Sequence, residues 1–318
     1  MKQDLPFSVW KCCALTFLTS FLFLNSFSQS SEKSSHIEAG VTFGPSNFLG
    51  DLGGNLGKGT PFLKDNNIKE TKLTVGGFIS YHPSELFAVR FALNKGVLSG
   101  DDAIIKAKGG LEEARKTRNS NFRSKFTEGL LMGEIYPTTF LEYDQTDIYR
   151  KLRPYVVAGI GVFHFNPQGT DPLTGNWVAL QPLHTEGQGF PEYPGRKEYK
   201  LTQMNIPMGI GVKYFLTESL NVSFEIIHRK TFTDYIDDVS TDYIDPALFY
   251  QHMPAAQAQV AERLANKTGI PGATVYNAGQ KRGTATNKDS YYSAGFKIGF
   301  LIDNSNRFRN STTCPIRF

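Results

Sequence analysis

Residues 291–302 read Tyr291-Tyr292-Ser293-Ala294-Gly295-Phe296-Lys297-Ile298-Gly299-Phe300-Leu301-Ile302. Tyr292, Ala294, Phe296, Ile298, Phe300 and Ile302 alternate with Ser293, Gly295, Lys297 and Gly299, and a period of two puts one set on each face of a β-strand. The pattern recurs in 86–97, where Phe87, Val89, Phe91 and Leu93 interleave with Ala88, Arg90, Ala92 and Asn94. It recurs again in 203–214 and 220–229, and eight strands are expected: 36–44, 71–82, 86–97, 122–136, 153–165, 199–214, 219–231 and 289–302. Strands of about 9–11 residues with one apolar and one polar or Gly-rich face suit a barrel that crosses a bilayer.

The connections sort by length. Those at 45–70, 98–121, 166–198 and 232–288 are long, whereas 83–85 and 215–218 are tight and 137–152 is intermediate. With both chain ends on the periplasmic side, every long connection faces outward, as outer-membrane barrels arrange them. A soluble β-sandwich has no reason to sort its loops this way. The fold expected is therefore all-β, an eight-stranded antiparallel transmembrane β-barrel with long extracellular loops.

Composition agrees. The 318 residues are 40% hydrophobic and 13% aromatic, with 30 Gly and a net charge of +4, too mild to argue for nucleic acid. A mean hydropathy of −0.30 is polar for a membrane protein. A barrel explains it, because half of each strand and all the loops are polar. Lys2 and Lys11 precede an apolar run from Cys12 to Leu24, and Ser26-Phe27-Ser28 supplies small residues for cleavage before Gln29. The expected organisation is a signal peptide over 1–28, a barrel over 29–302 and a periplasmic tail over 303–318, in the outer membrane of a Gram-negative bacterium. Cys12 and Cys13 leave with the signal, so Cys314 is the one thiol expected in the mature chain.

The inward faces carry nearly balanced charges: Glu38, Lys72, Arg90, Glu128, Glu134, Lys213, Glu225, Arg229 and Lys297. Eight strands enclose a bore just wide enough for side chains to fill. These residues are read as an ion-paired plug rather than a conduction path, with Arg90 or Lys213 as the partner of Glu225.

The long connections are chemically distinct. Residues 101–117 can hold a short helix through Leu111 to Arg115, and 246–265 a surface helix with Ala255, Ala256, Val260, Ala261 and Leu264 on one face. The segment from Arg229 to Asp245 is dense in acids, including Asp234, Asp237 and Asp238. It could hold Ca²⁺, but it lacks the spacing and glycine of an EF-hand loop, and the reading adopted is a rim turn whose Asp and Thr side chains satisfy backbone donors. Residues 180–189 bring His184 and Glu186 together as a conceivable base and orienter, yet no Ser stands in a nucleophile context. The basic run Lys106, Lys108, Arg115, Lys116, Arg118, Arg123 and Lys125 is open to two readings, a site for lipid-A phosphates or a solvated loop. No metal or cofactor site is expected.

Several stretches resemble the PorG-type outer-membrane barrels of the type IX secretion system, a family largely of unknown function. They are Gly44-Pro45-Ser46-Asn47-Phe48-Leu49-Gly50-Asp51-Leu52-Gly53, Arg118-Asn119-Ser120-Asn121-Phe122-Arg123-Ser124, Pro154 to Gly161, Phe165-Asn166-Pro167, Leu180 to Gly189 and Lys230 to Tyr243. The resemblance implies a non-enzymatic, structural or scaffolding component of protein secretion and the associated gliding. Its implied partners are outer-membrane lipid and periplasmic or lipoprotein components of a secretion complex, with no nucleic acid and no small-molecule substrate. The alternative is a small barrel for adhesion or envelope stability with no secretion role. The basic tail around Cys314 is the place expected to meet a periplasmic partner.

Overall fold

The computed structural model describes residues 35–52, 68–106, 112–141, 148–269 and 276–302. The signal segment 1–28 and the tail 303–318 with Cys314 lie outside them.

Strands β1 (His36–Leu49), β2 (Lys72–His82), β3 (Phe87–Asp101), β4 (Asn121–Ile135), β5 (Leu152–Thr170), β7 (Thr202–Phe215), β8 (Leu220–Thr231) and β9 (Ser290–Leu301) form one antiparallel ring. Each pairs with its neighbour in sequence. The ring closes where β1 meets β9, with Phe43 opposite Phe296, and the short β6 (Trp177–Ala179) extends the top of β5. All eight expected strands form. Three run further than the alternation indicated: the extensions of β1 and β3 are buried on both faces and lose the period of two, whereas β5 keeps alternating in burial to Thr170 through Asn166-Pro167-Gln168-Gly169-Thr170, a stretch with no apolar alternation to read.

The outward face is a belt of exposed apolar residues such as Val41, Ile79, Phe91, Leu131, Ile160 and Ile210. In water so many exposed hydrophobes would be untenable. Around a closed barrel they form the lipid-facing surface, and Tyr81 and Tyr214 edge it near the tight turns. No helix among the described residues is long and apolar enough to cross a membrane; the strands cross it. The protein is an outer-membrane β-barrel.

The bore is filled. Near the tight turns the rings of His36 and His82 stack at 4.3 Å, and Lys213 Nζ lies 2.7 Å from Glu38. Beyond them Arg90 bridges Glu134 at 3.1 Å and Glu225 at 2.8 Å, while Lys297 Nζ sits 3.1 Å from Glu134 and 4.0 Å from Glu225. A third group joins Arg229 Nη2 and the Tyr291 hydroxyl to Glu128 at 2.8 and 2.7 Å. Above it an aromatic layer of Phe122, Phe126, Phe163 and Phe165 closes the passage. A cavity of about 30 Å³, room for a water or two, remains beside Arg90, Glu225 and Arg229.

Eight of the nine expected lumen charges therefore join the network, and Lys72 does not. It has the inward parity of β2 but stands at the first residue of the strand, at the open mouth, where its side chain is 41% exposed and 3.9 Å from Glu70. Alternation reports the face of a residue, not its depth. Likewise Glu225 takes Arg90 and Lys297, while Lys213 is engaged by Glu38.

Candidate functional site

Four long connections rise from one end of the barrel, the end expected to face outward, and fold into a cap. Helix α1 (Glu112–Arg118) forms where expected. The 246–265 segment instead makes two helices, α2 (Ala247–His252) and α3 (Ala255–Ala265), because Pro254 has no N–H to continue the first. In α3 the buried face is Ala258, Ala261, Leu264 and Ala265, whereas Ala255 and Ala256 are exposed. That face packs on Leu180, Leu183, Phe190 and Phe249, so these helices carry a small apolar core of their own.

The two cores meet through segment 232–245. Ile236 and Val239 pack into the aromatic layer at the barrel mouth, and Ile244 packs into the cap core. Between them the chain must bury charge. Asp237 accepts the N–H groups of Leu52 at 2.9 Å and Val239 at 3.0 Å. Asp238, in the left-handed region at φ 64°, accepts the hydroxyls of Tyr199 at 2.6 Å and of Thr185.

Glu186 is the hub. Fully buried, it accepts the N–H of Ser240 at 2.9 Å, the N–H and hydroxyl of Thr241 at 2.9 and 2.7 Å, and Arg282 Nη1 at 2.8 Å. Arg282 also donates to the carbonyls of Asp238 at 2.6 Å and Ala265 at 3.2 Å. Arg118 chelates Asp102 with Nε and Nη2 at 2.7 and 3.0 Å, and it donates to the carbonyls of Arg282 at 2.8 Å and Asp51 at 2.6 Å. Two buried arginines thus tie together all four long connections.

The expected rim residues separate into roles. Glu186, Asp237 and Asp238 hold the cap together. His184 does not meet Glu186: its Nε2 lies 3.4 Å from Glu198, so the base and orienter pair suggested by their spacing does not form. Asp234 is buried with no base beside it, and the Ser240 side chain is the one donor near its carboxylate among the described residues. Burial pushes Asp234 up to about 7 and Asp238 up to about 6, the second despite Arg282. Asp237 and Asp289 are raised well above the usual carboxylate range, by burial first and by neighbouring acids second. No three His, Cys, Asp or Glu side chains among the described residues are arranged to hold a metal ion.

Sequence reasoning missed the roles of Arg282, Tyr199 and Asp289: Arg282 stands in no periodic pattern, whereas Tyr199 and Asp289 open the expected strands 199–214 and 289–302 but lie just outside the observed ones, in the cap. The one available signal was the charge balance that the acidic run 234–245 requires. It also counted Arg118 with a surface basic run, although Arg118 is buried in the cap.

A family model, DUF6089, a domain of unknown function, matches residues 16–172. No curated protein shows significant similarity to the chain. Among solved structures, Ail, the attachment invasion locus protein of Yersinia pestis, is 6% identical with a TM-score of 0.35, covering 84% of this chain and 99% of its own. A major outer membrane protein from Thermus thermophilus is 10% identical with a TM-score of 0.36, covering 84% and 99%. Outer membrane protein W of E. coli is 13% identical with a TM-score of 0.32, covering 85% and 100%. Likeness at this level carries no functional argument, and the fold rests on the strand register described above.

Proposed function

We propose that this outer-membrane barrel is a non-enzymatic scaffold of type IX protein secretion, anchored by its barrel and acting through its two ends. The observation that carries the reading is where the resembling motifs go. Asp51 and Leu52, Arg118, Thr185 and Glu186, and the 230–243 segment all converge on the buried Glu186–Arg282 hub. Unusual residues committed to architecture suit a part that presents a rigid surface. A bore occupied by ion pairs and aromatic rings supports the same role, because it favours contact over transport. The periplasmic contact is assigned to the tail, with Cys314 at or near it.

The test is deletion of the gene, with secreted protein and gliding measured, together with cross-linking in native envelopes. Loss of secretion, restored by the intact gene, and capture of periplasmic or lipoprotein components are expected. Secretion that survives deletion while adhesion or envelope integrity fails would replace this reading with the alternative.

A further inference from the structure

Lys95, Arg123 and Lys125 stand on the outward faces of β3 and β4. Their proximity follows from register: Lys95 lies opposite Thr127, Val97 opposite Lys125, and Ser99 opposite Arg123. Lys125 is therefore a diagonal neighbour of Lys95 and two residues from Arg123 on one face, in steps of about 7 Å. The flanking outward positions add no negative charge: Val75 on β2, and His164, Asn166 and Gln168 on β5. The nearest acid by register is Asp101, diagonal to Arg123 at the top of β3, and its carboxylate accepts the Ala103 N–H at 2.8 Å. Glu70, before β2, is engaged by the Ser99 hydroxyl at 2.7 Å and by Lys72 at 3.9 Å.

Arg123 is held in place. Its Nε donates to Gln168 at 3.0 Å, and its guanidinium carbon lies 4.3 Å from the centre of the Trp177 ring. These contacts fix the guanidinium plane and leave its remaining N–H donors without a hydrogen-bond partner among the described residues. A fixed guanidinium beside two flexible ammonium groups is the chemistry that recognises phosphate.

The second observation lies directly below. Leu93, one step down β3 from Lys95 on the same face, is flanked in register by Gly77 and Gly129. The missing side chains leave an open apolar groove along Val41, Phe43, Val75 and Leu93 that runs up to Lys95 and Thr127. On the far side of the seam, Phe43 faces Phe296 with no charge. The basic cluster is thus local, and it is continuous with an open apolar groove.

We propose that Lys95, Arg123 and Lys125 bind the phosphorylated headgroup of an outer-leaflet glycolipid, with one of its acyl chains in the groove beside Leu93. A free phosphate would use the cations but not the groove. The assignment rests on the long connections facing outward.

The test titrates the detergent-purified full-length protein with diphosphorylated lipid A, the same lipid without phosphates, and inorganic phosphate. The readout is Trp177 emission, with a Trp177→Phe variant as the blank. A saturable response to lipid A is expected, weakened at least about tenfold in Lys95→Gln/Arg123→Gln/Lys125→Gln and unchanged in Lys230→Gln. Should the triple variant fail to fold, Lys125→Gln alone is expected to weaken binding about fivefold. Equal titrations of wild type and variant, an equal response to the dephosphorylated lipid, or saturation by inorganic phosphate at the same concentration would each overturn the proposal. Orientation is read separately, by whole-cell labelling of Asn277→Cys. Binding in detergent with the loop end found in the periplasm would also overturn it.

Discussion

At the scale of single residues, the lumen and cap handle buried charge in opposite ways. In the bore every acid has a base at hand. Glu134, fully buried between Arg90 and Lys297, is the most committed of them. Replacing it with Leu leaves two cations short of a partner, a loss that typically costs about 3–5 kcal/mol. Glu134→Leu should lower the temperature at which the folded gel band is lost, and adding Lys297→Met should recover part of that loss. Lys72→Met should change it by less than about 0.5 kcal/mol, because an exposed pair contributes little. Wild-type heat resistance in Glu134→Leu would mean that the bore is solvated.

In the cap, by contrast, acids are buried with too few bases. Asp234 is raised to about 7 from an ordinary value of 3.8, so between those limits the folded cap holds a proton that the unfolded segment releases. Its contribution is fully present below about pH 4 and is lost as pH rises towards 7. Amide hydrogens of residues 233–241, corrected for intrinsic exchange, should therefore be less protected at pH 8 than at pH 5. Asp234→Asn should flatten part of that slope. Protection that rises with pH would contradict the assignment.

At the scale of elements, one cross-strand contact explains why glycine recurs on inward faces. Tyr155, Gly211 and Glu225 are successive register partners on β5, β7 and β8. The Tyr155 ring leans over Gly211 so that its hydroxyl reaches Glu225 at 2.7 Å. A methyl group on residue 211 would lie 2.4 Å from the ring carbon bearing that hydroxyl. The ring is buried and packed against Tyr136, so it cannot swing clear cheaply. Gly211→Ala should destabilise the barrel by about 1–3 kcal/mol, the usual range for overpacking a filled interior. Combining it with Tyr155→Phe should not relieve the clash, whereas Tyr155→Ala should. If Gly211→Ala is as heat resistant as wild type, the ring is mobile.

At the scale of the whole molecule, closure leaves none of the eight staves with an open edge across the membrane and leaves two unlike ends. The shorter connections stand at one end and a folded cap at the other, and among the described residues the bore between them is filled by ion pairs and aromatic rings. Cysteines placed at Asn277 or Ala278, both exposed in the cap, in a Cys314→Ser background should react with an impermeant reagent on intact cells. Those at Ser84 and Thr217 should react only after the outer membrane is opened. The reverse pattern would invert the topology.

What the chain alone determined is whatever a period of two can encode. Alternation placed all eight staves, the lipid-facing belt and eight of the nine lumen charges, because a pleated strand obliges neighbours to face opposite ways. It erred at Lys72, where the face was right and the depth was not. Pairing was beyond it: Glu38 and Lys213 lie 175 residues apart, and only the closed register sets them against each other. The cap was legible as composition, a basic run here and an acidic run there, but not as structure. Its hub joins Glu186 to Arg282 across 96 residues through irregular backbone, where no repeat ties sequence position to direction. There the partners are chosen by which buried charges must be neutralised once the loops pack, and that is settled only in three dimensions.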